Sequence, residues 1–349
     1  MKVKVDLLSL FPEEAEAFII SLGEPKFRAK QIFDFLLKGK SVAEMHNLPL
    51  SLKNKLEEHC LITLPSVVRK QVSRLDGTVK YLFKLHDGAC VESVLKRYEH
   101  GNSLCISSQV GCRMGCRFCA STIGGKERDL LASEMLGQVI AASADSGSRV
   151  SHVVMMGIGE PLDNYENAVR FLHLANHPAR LGISYRNISL STCGVADGID
   201  RLASEGLPIT LSVSLHNPTD EGRSAIMPIN RRFPIAVLLD ACKRYFEKTG
   251  RRISFEYTLL SSVNDGEADA KTLAQVLRKH LGQMPIHVNL IRLNEVKERE
   301  FKTPDSKSVE RFIATLQKSG IVATLRRRLG ADIDAACGQL RRQNETKED

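Results

Sequence analysis

From about residue 100 onward the sequence alternates short β-rich apolar runs with amphipathic helical runs, and this alternation leaves few architectures open. The β-rich runs fall at 103–108, 152–156, 187–191, 209–215, 253–260 and 286–291. Helical periodicity follows at 133–144, 164–176, 197–205, 235–248, 267–280 and 306–318, and 321–325 reads as a last strand. Parallel neighbours cannot be joined by a tight turn, so each pair needs a crossover, usually a helix. Six such units in series predict an α/β chain with a parallel sheet and helices outside it. Closing an eight-fold barrel would take two more units, so a partial (β/α)6 barrel is expected over 98–330. Ligands in such folds gather at the carboxyl ends of the strands.

The segments on either side read differently. Residues 1–62 carry helix-spaced apolar positions at 13–22 and 26–37 and a third helical run at 51–60, which predicts a small helical accessory domain. Lys26, Arg28, Lys30, Lys38 and Lys40 make its face basic, as either a solvated helix surface or an RNA contact. Residues 63–97 hold three strand-like runs separated by Asp76-Gly77 and Asp87-Gly88, so a β-meander linker is expected there. Residues 331–349 read as a loop and a polar tail.

Small and polar residues recur where the barrel strands should end. Gly157-Ile158-Gly159-Glu160-Pro161 follows the second strand, and Ser191-Thr192-Cys193-Gly194 ends the third. Ser214-Leu215-His216 ends the fourth, and Asn294 follows the sixth. Such loops let backbone approach a ligand closely and offer hydrogen bonds, so together they predict one continuous site.

After the first strand stands Cys112-Arg113-Met114-Gly115-Cys116-Arg117-Phe118-Cys119, a CxxxCxxC triplet. An iron–sulfur cubane normally takes four thiolates, so three on one loop leave one iron open to a ligand. The alternative is a structural zinc loop with a fourth ligand elsewhere, although zinc sites more often show paired C-x2-C spacings. Nine cysteines, an odd number without a regular framework, suit a reducing cytoplasm better than a disulfide scaffold. No apolar run approaches the roughly 18 residues of a membrane span, and the first residues lack the pattern of a signal peptide. Lys and Arg exceed Asp and Glu, 49 against 41, and the resulting +8 favours a polyanionic partner.

The triplet, with Phe118 before its last cysteine, resembles the signature of radical SAM enzymes, and Gly157 to Pro161 resembles their glycine-rich strand end. The resemblance narrows over nearly the whole chain. Met156 to Leu162, Ser214-Leu215-His216, Met227-Pro228-Ile229-Asn230, Phe255-Glu256-Tyr257 and Val263-Asn264-Asp265 resemble the RlmN/Cfr family of radical SAM RNA adenine methyltransferases. So does Asp332-Ile333-Asp334-Ala335-Ala336-Cys337-Gly338-Gln339-Leu340, and so does the size and pattern of the N-terminal helical unit.

The resemblance implies a [4Fe–4S] cluster on Cys112, Cys116 and Cys119, with Gly159, Glu160, Ser191, Ser214, Leu215, His216 and Asn294 around S-adenosylmethionine. Two molecules of that cofactor are implied per turnover. The first methylates Cys337. The second gives a 5′-deoxyadenosyl radical that takes hydrogen from the S-methyl group, and the carbon radical then adds to the adenine ring. Glu92 would abstract the ring proton, and Cys105 would attack the Cys337 sulfur, leaving a disulfide for later reduction. Without the resemblance Glu92 would read as a solvated strand residue and Cys105 as a small buried hydrophobe. Cys337 sits in a Gly/Asp/Ala-rich stretch and reads as a free thiol on a mobile loop even unaided. Cys60, Cys90, Cys193 and Cys242 read as packing residues.

The implied substrates are adenosine C2 in 23S rRNA, at the peptidyl transferase centre, and in tRNA, next to the anticodon. Arg326-Arg327-Arg328 and Arg341-Arg342 flank the Cys337 segment and fit phosphate contacts. The target base would have to leave its stack. An electron donor such as a flavodoxin or ferredoxin, a cytoplasmic location and a monomeric chain complete the expectation. Glu160-Pro161-Leu162 and Cys119-Ala120-Ser121-Thr122 resemble the C2 enzymes. Arg292 departs from their usual proline and Cys193 from a usual serine, which keeps C8 methylation as the alternative. A more distant alternative is an iron–sulfur RNA-binding protein without catalysis.

Overall fold

The computed structural model describes residues 4–296 and 298–333. The N-terminal unit consists of α1 (Pro12–Ser21), α2 (Phe27–Leu36) and α3 (Leu50–His59), tied together by a parallel pair of two-residue strands, β1 (Val5–Asp6) and β2 (Cys60–Leu61). Pro12 opens α1, where its missing N–H is no loss. Ala29, Ile32, Phe33 and Leu36 share one face of α2 and are buried.

A ten-stranded sheet dominates the rest of the molecule. Its first strands, β3 (Ser66–Val72), β4 (Val79–Lys84) and β5 (Cys90–Tyr98), form an antiparallel meander. The segment 63–97, expected as a linker, therefore belongs to the main sheet, because β5 pairs directly with β6 (Gly101–Cys105). From β6 the order is parallel: β9 (Val150–Met155), β10 (Ile188–Thr192), β11 (Thr210–Ser214), β12 (Ile253–Leu259), β13 (His287–Arg292) and β14 (Val322–Leu325). Between them lie α4 (Ala132–Ser146), α5 (Tyr165–Asn176), α6 (Ala196–Glu205), α7 (Asp220–Ile226), α8 (Ile235–Thr249), α9 (Glu267–Leu281) and α10 (Ser306–Lys318). This is the expected set of six βα units, with β14 as the closing strand. The strands run in chain order along the sheet, as consecutive crossovers require.

Strand parity explains the layers. In β12, Phe255, Tyr257 and Leu259 join the apolar core, while Glu256 and Thr258 alternate with them and line an internal cavity. The N-terminal unit shares the same core and is latched to the barrel by polar contacts. Ser133 on α4 donates to Asp6 Oδ2 (2.7 Å), and Arg180 donates to the Leu10 carbonyl (2.9 Å). The Arg180 guanidinium also lies 3.5 Å from the centre of the Phe33 ring.

Two short elements escaped the sequence pattern. The strands β7 (Gln109–Gly111) and β8 (Lys126–Asp129) form an antiparallel ladder that closes the base of the cysteine loop. The helix α7 precedes a single 3-10 turn at Pro228–Arg231. Both are too short for a periodic signal. No helix among the described residues is long and apolar enough to cross a membrane.

Candidate active site

The cysteine loop leaves β7 and returns through β8, and backbone bonds set its shape. Cys112 N–H donates to the Gly125 carbonyl (2.7 Å) and Arg117 N–H to the Ile226 carbonyl (2.9 Å). The Thr122 hydroxyl donates towards the carbonyls of Cys116 (3.0 Å) and Cys119 (3.1 Å). Arg299 reaches the Cys119 carbonyl (3.3 Å) from the far end of the barrel chain. Cys116 is packed with Ile226, Met227, Leu260 and Leu293 in a small apolar cluster of its own. Burial pushes the Cys112 thiol up to about 12 and Cys116 well above its ordinary value, reinforced by neighbouring thiols. Thiols in this setting become ligands only if a cation displaces their protons.

The three cysteines line a cavity of about 220 Å³ together with the ends of β9, β10, β11 and β12. Among the described residues no three His, Cys, Asp or Glu side chains converge as ligands of one metal ion would. Three thiol donors opening on one cavity are the donor set that a [4Fe–4S] cluster with one open iron requires.

The glycine-rich loop after β9 meets that cavity edge-on. A Cβ on Gly157 would stand 2.5 Å from the Ile106 carbonyl oxygen, and one on Gly159 would stand 2.6 Å from the Gln109 side chain. Gly159 also has φ +107°, a conformation L side chains rarely adopt. The reward of this close packing is a fixed Glu160. Its backbone N–H donates to Gln109 Oε1 (2.9 Å), and its carboxylate accepts from Leu162 N–H (3.0 Å) and Cys193 N–H (2.6 Å). Burial raises its proton affinity, and these donors oppose the rise.

His216 lies across the cavity at φ +57°. Its Nδ1 accepts from Thr258 N–H (2.9 Å), which leaves the ring proton on Nε2 as a donor. Burial pulls its pKa down to about 3, helped by the Arg223 charge, so the imidazole is neutral. Phe118 packs edge-on against it at 4.9 Å.

A wider cavity of about 400 Å³ lies against the first, sharing Met156, Ile291 and Arg326 with it. Its walls include Val94, Lys96, Cys105, Arg292 and Asn294, and Arg326, Arg327 and Arg328 form one side. Cys105 is opposite Val94 in the β5–β6 register. Glu92 shares the face of Val94 and Lys96 by strand parity. It is not solvated: it is 2% exposed and ion-paired to the fully buried Lys80 at 3.1 Å.

Comparison with known proteins agrees with this geometry. The Radical SAM superfamily matches residues 106–274, and the ribosomal RNA large subunit methyltransferase N-terminal domain matches residues 5–62. A relative from Clostridium tetani, called "Probable dual-specificity RNA methyltransferase RlmN", is 48% identical over 99% of both chains. One of the same name from Lachnospira eligens is 49% identical over 96% of this chain and 95% of its own. The chain belongs to the RlmN family of radical SAM RNA methyltransferases. A crystal structure of a radical SAM methyltransferase from Sphaerobacter thermophilus superposes with a TM-score of 0.90 at 40% identity, covering 96% of this chain and 98% of that one.

In this RlmN-family chain the residues singled out by sequence fall into five places, one of them the buried pair of Glu92 with Lys80. Cys112, Cys116, Cys119, Gly159, Glu160, Ser191, Ser214 and His216 share the smaller cavity. Cys105 and Asn294 line the wider one. Leu215 points into the apolar core and presents only backbone, its N–H bonded to the Glu256 carbonyl (3.0 Å). Cys337 lies outside the described residues. Sequence reasoning gave Glu256 and Met156 no role and read Arg326 only as a phosphate contact, and it gave Cys193 a packing role, although all four line the cysteine cavity. The signal for Glu256 was present: a polar residue alternating with apolar ones in a strand whose outer face is covered by helices must face inward.

Proposed function

We propose that this chain methylates C2 of adenosine in 23S rRNA and in tRNA. The carrying observation is that the cysteine-lined cavity abuts, across Met156, Ile291 and Arg326, a wider arginine-sided cavity holding Cys105. Cys112, Cys116 and Cys119 would hold the [4Fe–4S] cluster, and Gly159, Glu160, Ser191, Ser214, His216 and the Leu215 backbone would surround S-adenosylmethionine, with Asn294 on the side of the wider cavity. When bound, these groups supply one-electron chemistry able to remove a hydrogen atom from a methyl group.

The chain's own residues divide the remaining work. Glu160, with its carboxylate fixed by two backbone N–H groups, presents a rigid acceptor, and His216 presents its Nε2 proton. Cys337 carries the methyl group to the base, Glu92 takes the ring proton, and Cys105 resolves the covalent enzyme–RNA bridge. Arg326, Arg327 and Arg328 fit backbone phosphates beside an extruded base. A flavodoxin or ferredoxin would supply electrons to the monomeric chain in the cytoplasm, and the basic N-terminal unit would add RNA contacts.

Anaerobic incubation of iron-reconstituted protein with S-adenosylmethionine, a reductant and RNA tests the reading. 5′-Deoxyadenosine and 2-methyladenosine are expected, and Cys337→Ala should abolish methyl transfer. Arg292 lines the wider cavity, where the C2 enzymes usually have proline, so 8-methyladenosine is the outcome that would shift the reading to C8. Absence of 5′-deoxyadenosine would leave a cluster protein that binds RNA without catalysis.

A further inference from the structure

Arg223, on α7, is entirely buried, and every acceptor it meets is neutral. Its Nε donates to the Leu215 carbonyl (3.1 Å), and Nη1 donates to Asn230 Oδ1 (2.8 Å). Its Nη2 donates to the carbonyls of Cys193 (2.7 Å) and Ser214 (3.1 Å). No carboxylate pairs directly with it among the described residues. Asp220 reaches it only through Asn230, whose Nδ2 donates to Asp220 Oδ1 (2.9 Å), and Asp220 itself is exposed.

A buried guanidinium without an adjacent counter-charge is strongly unfavourable, and its hydrogen bonds relieve only part of that penalty. Two features tie the charge to the cysteine cavity. Cys193 and Ser214, whose carbonyls it gathers, both line that cavity. The helix end that carries Arg223 also holds the cysteine loop, through the Ile226 carbonyl and the packing of Met227 near Cys116. A cluster bound by three thiolates is a negative group that becomes more negative on reduction, and in a low-dielectric interior a fixed cation favours that change.

We propose that Arg223 is the internal counter-cation of the cysteine-bound cluster, a positioning residue that clamps the ends of β10 and β11 while its charge raises the cluster's reduction potential. This rests on the cluster reading of Cys112, Cys116 and Cys119.

The test is a mediator-equilibrated dithionite titration of the reconstituted full-length protein, followed by electron paramagnetic resonance of the reduced cluster. Arg223→Met should disfavour reduction at least about tenfold, a drop of about 59 mV for one electron. Arg223→Lys, which keeps the charge, should retain most of the wild-type potential. Arg223→Met could fail to fold, so the exchange Asp220→Asn with Asn230→Asp provides a second route. It keeps the net charge and the Arg223 bonds but sets a carboxylate directly on the guanidinium, and it should also lower the potential. Unchanged potentials in iron-loaded variants, or equal shifts in Arg223→Met and Arg223→Lys, would overturn the counter-cation role and leave a carbonyl clamp. Failure of the cluster reading itself would show separately, as wild-type protein that takes up no iron and gives no signal.

Discussion

Replacing Lys80 with methionine is the perturbation whose consequence can be worked furthest from the structure. Lys80 and Glu92 are 0% and 2% exposed and lie 3.1 Å apart. In the β4–β5 register Leu82 is opposite Glu92 and Lys80 is opposite Val94, so the pair is diagonal on one face of the sheet. Deleting one member of a buried pair strands the other charge, at about 3–5 kcal/mol. Against a total folding stability of about 5–15 kcal/mol, that is a large loss. Replacing both members with apolar side chains removes the stranded charge as well. Lys80→Met/Glu92→Leu should therefore recover most of the stability lost in Lys80→Met. Anaerobic urea unfolding of wild type, both single variants and the double variant closes a mutant cycle, with an expected coupling of about 3 kcal/mol. Losses that simply add would refute the pair as an energetic unit. The isosteric Glu92→Gln asks a separate question, because it preserves shape but removes the proposed base. It should accumulate a covalent protein–RNA species on denaturing gels, and normal turnover by this variant would remove Glu92 from the reaction.

Gly159→Ala should fold and take up iron but lose at least about tenfold in S-adenosylmethionine affinity by equilibrium dialysis, because a positive-φ side chain costs about 1–3 kcal/mol and the new Cβ would displace Gln109 from Glu160. His216 is held near 3 in the folded chain against an ordinary 6.5, so the unfolded chain binds its proton first. The stability it contributes is complete above pH 6.5 and is lost as pH falls from 6.5 towards 3; the urea midpoint of His216→Gln should depend less steeply on pH across that window than that of wild type. Asp332 accepts from the Ser73 hydroxyl (2.6 Å) and Arg74 N–H (2.9 Å), five residues before Cys337 in sequence. Asp332→Ala should speed hydrogen exchange at Gly330, whose N–H is bonded to Asp76 (2.8 Å), and slow methyl transfer while 5′-deoxyadenosine formation continues; unchanged exchange would show that this clasp is dispensable.

What the sequence made legible depended on locality. The barrel elements carry their own period, so their order and bounds follow from residues a few positions apart. The cysteine triplet and the Gly157–Pro161 loop are contiguous, so the smaller cavity could be anticipated at its centre. Leu215 shows the limit: Ser214 and His216 face the cavity, and alternation at the strand end turns the residue between them into the core. The Lys80–Glu92 pair depends on cross-strand register, which no local pattern encodes. Arg326 and Met156 meet across 170 positions, with Arg326 Nη1 3.8 Å from Met156 Sδ. Arg223 was hidden for the same reason, since the carbonyls it gathers come from two strands and only the fold assembles them.

The contact between the two cavities explains why their chemistry can be divided among distant parts of the chain. Met156 directly follows β9, Ile291 belongs to β13, and Arg326 follows β14, where its N–H donates to the Leu290 carbonyl (2.8 Å). All three are set by the parallel sheet, so their placement does not depend on a bound partner. Burial raises the proton affinity of Glu256 beside the cysteine cavity, and the Arg326 charge opposes that rise. The same guanidinium belongs to the arginine-sided wall of the neighbouring cavity. It can therefore balance a buried carboxylate on one side while facing a phosphate-bearing substrate on the other. A reactive species formed among the cysteines would meet this partition before reaching the substrate. In the proposed reaction the methyl-carrying Cys337 is the residue that would bridge the two cavities.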